Sequence, residues 1–432
     1  MAYDFPPYVS VGALRPYSWY KHLKEFDIFP IVITRQWNNI NISSTDYISK
    51  SKTTNSEIEI NENGIIIKTP YKPNLSNRIL LKHGEKKFKL IRKTITAFYE
   101  LIQFILPFGT KYQIYKEAER YIKNKPVDLI IATGDPFILF KYATDLSTKY
   151  RIPVITDYRD LWTQDISMKN QTILRNWFRM FEKKILKKTT YNLTVSLFLK
   201  NKLKTYAKKN RIKVITNGFD EESIKKIKNI TQNSKVLTIG FMGTLYPWHP
   251  FESFLEVVSN FDAKESKIIN INLYGINDKS KYLNLLIEKY QHLSKNIKIY
   301  PKMENAKVLK ELSKSNVLLL FNDYSFLGTK IFDYIGLERL ILFCYSKDEN
   351  SEKLKKRYFK IKGENEKLQE ETILKTNSGI IVENQLHLQK TLKDLILEFE
   401  DNGKIQCNSR NTELYSRKIQ VKKLAALIKS LV

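Results

Sequence analysis

Short apolar runs alternate with helix-length segments over most of this chain, in two separate series. Val127 to Thr133, Pro153 to Asp157, Tyr191 to Ser196 and Val214 to Thr216 have strand length, and Phe137 to Lys149 between the first two has helix length. Strands joined through helices are parallel, and near-continuous apolar runs suit strands covered on both faces. The series stops at Glu221 to Lys235, which is charged, polar and without an apolar face. It restarts with Val236 to Met242, Ile268 to Tyr274, Ile297 to Tyr300, Val317 to Phe321 and Gly379 to Val382. Helical stretches at Phe251 to Asn260, Lys279 to Leu293, Ala306 to Ser313 and Leu388 to Phe399 separate or follow them. The rhythm restricts the fold to α/β, with one doubly wound parallel sheet per series. A chain of 432 residues also exceeds one ordinary core. We expect a first domain over residues 1–220, a second over 221–411, and a closing amphipathic segment over 412–432. No internal repeat is visible.

The remaining composition narrows the function. Lys+Arg outnumber Asp+Glu by 73 to 45, a formal charge of +28. Such a balance favours anionic partners. The richness in Lys, Ile and Asn runs through the whole chain, so it does not select one partner. No zinc spacing, RNA-binding signature, Walker sequence, nucleophile elbow or complete Gly-x-Gly-x-x-Gly is present, and no nucleic-acid partner is expected. The two cysteines, Cys344 and Cys407, fit no metal spacing and imply a reducing compartment. No signal-peptide order is seen at the N-terminus, and no run reaches the ~18 apolar residues of a spanning helix.

Some segments stand outside the rhythm. Met1 to Pro16 reads as a loop, followed by a helix from about Tyr17 to Glu25 and a strand from Ile28 to Thr34. In that loop Gly12 and Ala13 allow close backbone approach to a ligand, and Arg15 suits an anion. The same residues equally suit a tight turn before a helix. Asn38 to Asn77 is a polar excursion with one short strand, Gly64 to Lys68. A basic run, Lys82 to Lys93, precedes the apolar Ile95 to Phe108, a pattern that fits either a membrane surface or a buried helix. Thr172 to Lys188 is a second basic amphipathic helix, for which a solvated face is the plain reading. Lys347 to Lys375 is a Lys/Glu-rich insertion, read as a surface helix.

Ligands of doubly wound sheets sit at the carboxyl ends of the strands. Facing sheets would set Gly12, Ala13, Asp157 and Asn217 opposite Gly243, Gly275 and Lys330. Three strand ends carry candidate chemistry. After Val317 to Phe321, Gly328 and Thr329 are turn and N-cap residues of a helix whose N-terminus favours a phosphate. Lys330 adds a cation, and Asp333, one turn later, suits a sugar hydroxyl. An ordinary capped helix with a surface lysine fits as well. Asp157-Tyr-Arg-Asp160 closes a buried strand. Asp157 or Asp160 suits a proton or a sugar hydroxyl and Arg159 a phosphate, unless the three form an internal ion pair. Gly243 permits phosphate approach, Thr244 offers a hydroxyl, and His249 is either an anion contact or a structural histidine.

Phe5-Pro-Pro with Ser10-Val-Gly-Ala-Leu-Arg-Pro16, Thr34-Arg-Gln-Trp37, Asp157-Tyr-Arg-Asp-Leu-Trp162, Asn217-Gly-Phe-Asp220, Gly243-Thr-Leu-Tyr-Pro-Trp248 and Gly328-Thr-Lys-Ile-Phe-Asp-Tyr334 occur in that order. Together they resemble bacterial glycosyltransferases of family four. The resemblance implies the GT-B fold, two Rossmann-like doubly wound domains facing across a cleft, with the final helix crossing back onto the first. It implies retaining, metal-independent sugar transfer from a nucleotide-sugar donor, with no further cofactor. By the same likeness Gly12, Ala13 and Arg15 line the acceptor and phosphate loop, and Asp157 or Asp160 meets the reacting sugar. Gly243, Thr244, Gly275, Lys302, Gly328, Thr329, Lys330 and Asp333 would hold the donor. The chain departs from the family at its glutamate pair, where Ser325 and Asp333 stand, and where Thr244 and His249 replace an arginine and a lysine. It also opens where a first strand should already be ending, which points to a start upstream.

These features lead us to expect a glycosyltransferase of surface-polysaccharide or lipid-linked oligosaccharide synthesis. It would work in the cytoplasm, peripherally at the inner face of the cell membrane. A non-catalytic GT-B scaffold and a nucleotide-sugar epimerase are the competing readings.

Overall fold

The structure is a computed structural model that describes residues 1–8, 10–38, 45–164, 172–265, 269–276, 281–359 and 366–432. Parts of the polar excursion (39–44) and of the Lys/Glu-rich insertion (360–365), and the start of the expected helix at Lys279, lie outside the described residues. The chain forms two compact units, Met1–Thr216 with Gln420–Val432, and Asn217–Ile419. The divide follows Thr216, so the charged segment Glu221 to Lys235 belongs to the second unit.

The first unit holds β1 (Ile31–Arg35), β2 (Glu57–Asn61), β3 (Gly64–Thr69), β4 (Ile130–Gly134), β5 (Val154–Tyr158), β6 (Tyr191–Thr194) and β7 (Ile212–Val214). They make two sheets, ordered β1-β3-β2 and β4-β5-β6-β7. All pairs are parallel except β2 with β3. Helix Ile138–Tyr150 buries Leu139, Phe140, Ala143 and Leu146 on one face of the second sheet with Ala132 and Val154. On its other face Trp19, Leu23, Ile155 and Leu193 pack with Val421, Leu424, Ala425 and Ile428 of the last helix, Arg417–Lys429.

The opening differs from the expected loop. A helix already runs from Val11 to His22, because Ser10 caps it: its hydroxyl accepts from the Ala13 N–H at 3.0 Å. Pro16 therefore lies inside the helix rather than before its start. Gly12, Ala13 and Arg15 are helical residues, not a flexible loop. The basic and apolar stretch forms two helices in contact, Leu75–His83 and Lys89–Ile102.

The second unit is one six-stranded parallel sheet. Its strands are β8 (Leu237–Met242), β9 (Ile269–Tyr274), β10 (Ile297–Tyr300), β11 (Val317–Phe321), β12 (Leu340–Cys344) and β13 (Gly379–Val382), in the order β10-β9-β8-β11-β12-β13. β12 is an addition to the expected series, an unbroken apolar run buried along most of its length. The central β8 and β11 are buried along their whole lengths. The insertion is two helices, Glu349–Phe359 and Leu368–Thr376, rather than one.

Candidate functional site

The chemistry of the second unit gathers at the carboxyl ends of β8, β9 and β11. Gly243 and Gly275 follow β8 and β9 directly, with φ of +90° and +73°. That left-handed region costs any other residue about 1–2 kcal/mol. Their own N–H groups are occupied, Gly243 donating to Tyr274 O at 2.8 Å and Gly275 to Tyr300 O at 2.9 Å. The glycines therefore supply room rather than donors. A Cβ on Gly243 would lie 3.4 Å from Lys330 Cε and 3.6 Å from its Nζ, and one on Gly275 3.9 Å from Gly243 N. Gly243, Gly275 and Lys330, separated in sequence, thus share one small area.

Lys330 opens the helix Lys330–Leu337, with Thr329 at the cap position. Thr329 makes no side-chain cap bond, and the first N–H groups of a helix have no intrahelical partner. Gly328 is exposed, with open space where a Cβ would stand. The ammonium lies 4.0 Å from the centre of the Phe241 ring. Burial lowers the Lys330 pKa to about 8, against the pull of Asp323. It is a cation held at a cost, which an anion would repay.

Asp323 was missed by sequence reasoning, although it closes β11 as Asp157 closes β5. Burial alone would raise its carboxyl, but Lys355, His249 and Lys330 outweigh that and hold it below the usual carboxylate range. Lys355 bonds both its carbonyl oxygen and its carboxylate, the latter at 3.2 Å. Lys355 is buried, and its ammonium sits 4.4 Å from the Phe326 ring centre. Nothing distinguishes it by sequence from the exposed lysines around it. His249 is also buried, 3.5 Å from Asp323 through Nε2, while its Nδ1 accepts from Tyr246 N at 3.3 Å. Burial lowers its pKa, so it is neutral and braces Asp323 rather than carrying charge. Thr244 and Lys302 are exposed on the loops after β8 and β10.

Asp333 does not join this group. It is buried, and the charges that act on it are Arg417 and Asp220. Burial raises its pKa to about 6, opposed by Arg417 and aided by Asp220. The turn of helix that presents Lys330 at the strand ends carries Asp333 inward, where Gly336 also packs on Phe219. Ser325 is fully buried and accepts from Glu366 N at 3.1 Å.

In the first unit the expected Asp157–Arg159–Asp160 constellation separates. Asp157 has no exposure, and its carboxylate receives Arg15 Nε at 3.1 Å and Nη2 at 2.9 Å. Arg15 Nη1 donates to Thr216 O at 3.0 Å. Arg15 and Asp157 are thus an internal ion pair, neither an anion grip nor a proton acceptor at the surface. The reason is the early helix start, which turns Arg15 inward onto β5. Arg159 instead donates to Gly134 O at 2.6 Å and to Asp135 O at 3.0 Å. A Cβ on Gly12 would meet its Nη1 at 2.2 Å, so any larger residue there would displace the guanidinium.

Arg159, Asp160 and Gly12 line a cavity of about 490 Å³ together with Asp4, Asp135 and Lys111. Burial raises the carboxyl pKa of Asp4, against Arg159, and of Asp135, against Lys111. The cavity therefore offers hydroxyl-binding carboxylates and a guanidinium on one wall. Asp4 and Asp135 escaped sequence reading because each lies in a short turn, Asp135 directly before Pro136, that explains an aspartate without chemistry. Among the described residues no group of three or more His, Cys, Asp or Glu is set to hold a metal ion.

Residues 83–223 match the sequence profile of Glycosyltransferase Family 4. Two solved structures share the fold over nearly the whole length. One is a sucrose-phosphate synthase from Thermosynechococcus elongatus, with TM-score 0.55 and 13% identity, covering 93% of this chain and 88% of that one. The other is a glycosyltransferase from Rickettsia africae, with TM-score 0.54 and 15% identity, covering 96% and 93%. No curated protein sequence matches the chain. The fold is GT-B, built of two Rossmann-like units. Over residues 83–223, almost all of them in the first unit, the chain is thus similar to Glycosyltransferase Family 4.

Proposed function

We propose that the chain transfers a sugar, with retention of configuration, from a nucleotide-sugar donor to a lipid-linked or polysaccharide acceptor in surface-polysaccharide synthesis. The observation that carries this reading is Lys330, a half-buried ammonium at a helix N-terminus beside two positive-φ glycines. Charge develops on the leaving diphosphate as the sugar departs. A fixed cation and helix N–H groups stabilise it most where water is excluded. Gly243 and Gly275 leave room for the diphosphate, and Lys302 and Thr244 border the same strand ends. No metal is needed for this division of labour. The carboxylates of Asp4, Asp135 and Asp160 and the Arg159 guanidinium suit acceptor hydroxyls.

Helix Lys89–Ile102 supports a peripheral place at the inner face of the cell membrane. It buries no residue, and Leu90, Ile91 and Phe98 are 80%, 53% and 54% exposed. Its polar side is the one turned to its neighbour, Thr96 meeting Ser76 at 2.8 Å. An outward apolar stripe flanked by Lys82, Lys86, Lys87, Lys89 and Lys93 suits an anionic bilayer. Among the described residues no helix is long and apolar enough to cross a membrane.

The test is incubation of purified protein with a panel of nucleotide sugars and a polyprenyl-phosphate-linked acceptor, reading the product anomer by NMR. Transfer with retained configuration supports the proposal. Release of a 2-epimer without acceptor would indicate an epimerase instead. A scaffold is favoured by the inward Asp333 and buried Ser325, and nucleotide binding without any turnover across the panel would establish it.

A further inference from the structure

The inward face of helix Thr172–Lys188 carries a carboxyl among apolar side chains. Phe178, Ile185 and Leu186 are buried in the core of the first unit, and Glu182 shares their face at helical spacing with no exposure at all. A leucine or methionine would fill that place at less cost, because a carboxyl loses its hydration there. Burial raises the Glu182 pKa, opposed by neutral donors, Thr163, Gln164 and Tyr158. A buried carboxyl of this kind is weak support for stability.

What the carboxyl holds is the loop that leaves β5. Glu182 Oε2 accepts from the hydroxyl of Thr163, itself buried. Glu182 Oε1 accepts from Gln164 Nε2 at 2.9 Å. Gln164 Oε1 in turn accepts from the Trp162 N–H at 3.3 Å. Both carboxyl oxygens are thus engaged by this loop, and Gln164 relays the hold to the Trp162 backbone. The front of the same loop, Arg159, Asp160 and Trp162, lines the cavity of about 490 Å³. Trp162 stacks there on Phe137, with ring centres 5.0 Å apart and planes at 6°, and on Phe104 at 5.5 Å and 26°. Phe137 and Phe104 line the cavity as well.

We propose that Glu182 is a positioning residue for the acceptor: from behind the cavity, through Thr163 and Gln164, it fixes the loop that presents Asp160 and Trp162. The loop is then anchored on both sides of Asp160. Arg159 is tied to the Gly134 and Asp135 carbonyls, and the segment from Trp162 to Gln164 is tied to Glu182. Glu182 itself touches no reacting atom. The inference rests on the acceptor role given above to Arg159, Asp160 and their neighbours. It separates two quantities that a purely structural carboxyl would move together, the handling of acceptor and the stability of the unit.

The experiment compares Glu182→Leu, Glu182→Gln and Gln164→Leu with the parent protein. It uses the nucleotide sugar and the polyprenyl-phosphate-linked acceptor that the transfer assay selects. In Glu182→Leu the acceptor KM should rise about ten- to a hundredfold, while the donor KM and the melting of the first unit stay near the parent values. Without any ligand, the Trp162 amide should exchange its hydrogen about tenfold faster. Gln164→Leu cuts the relay at its half-buried link and should reproduce both changes. Glu182→Gln keeps an acceptor oxygen for the loop and should restore both. Should Glu182→Leu fail to fold, Gln164→Leu decides by the same two readouts. An unchanged acceptor KM, a rise shared equally by the donor, or a loss of activity that only follows a fall in melting temperature overturns this inference and leaves the transferase reading standing. A parent protein that transfers no sugar across the panel sinks that reading, and the acceptor role of the cavity with it.

Discussion

Asp157→Asn discriminates most sharply between a working carboxylate and a structural one. Asp157 has no exposure, Arg15 is 5% exposed in its side chain, and the pair shares bonds of 2.9 and 3.1 Å. The amide leaves the Arg15 guanidinium buried without its counter-charge, and breaking such a pair costs about 3–5 kcal/mol. In a unit of this size each kcal/mol moves the melting temperature by about 2–4 °C, so we expect a fall of about 6–20 °C. With two compact units the transition of the first unit has to be followed separately. Hydrogen exchange at β5 or the resolved calorimetric peak does this. Replacing the whole pair, Arg15→Met with Asp157→Leu, should recover most of the loss, because both charges leave the interior together. A variant Asp157→Asn that melts like the parent protein but has lost transfer would refute the reasoning and return Asp157 to the chemistry.

The proposed donor site makes three further claims. Lys330→Ala should lower turnover by about 10²–10³-fold while circular dichroism and melting stay near the parent values; normal turnover refutes the role. With the Lys330 pKa lowered from 10.5 to about 8, nucleoside diphosphate affinity should weaken as pH rises above 8, measured by calorimetric titration. The unfolded chain binds the extra proton between those values, so stability without ligand should rise over the same window, and Lys330→Met should lack that rise. Gly243→Ala should cost about 1–2 kcal/mol through its φ of +90° and weaken diphosphate binding by crowding Lys330. On the membrane side, Phe98→Glu should reduce co-sedimentation with phosphatidylglycerol vesicles and leave it unchanged with neutral ones.

How much of this was legible in the sequence depends on what sets each feature. β11 was readable because it is apolar and buried at every position, and β9 and β10 because apolar residues alternate with Asn270, Asn272 and Lys298. β2 was not, since Glu57–Asn61 is exposed along its length and exists only by pairing with β3. Lys330 was legible from a local pattern of turn, cap and helix. The partners of Arg15 and Lys355 were not, because an ion pair between residues far apart leaves no trace in local spacing. Pro16 misled directly: it reads as the end of a loop with the helix beginning after it, yet the Ser10 cap starts the helix at Val11. Asp323 was accessible to the reasoning applied to Asp157, and was hidden only by the loop residues that follow it.

The place of the last helix bears on how the chain is made. Val421, Leu424, Ala425 and Ile428 complete the core of a unit whose other residues leave the ribosome first. At about 5–20 residues per second, the whole second unit is translated before they emerge, an interval of roughly 10–40 s. For that time Trp19, Leu23, Ile155 and Leu193 lack their cover. The amino-terminal half thus waits on the carboxyl terminus, and a nascent chain stalled anywhere in the second half should be a client for chaperones that bind exposed apolar faces.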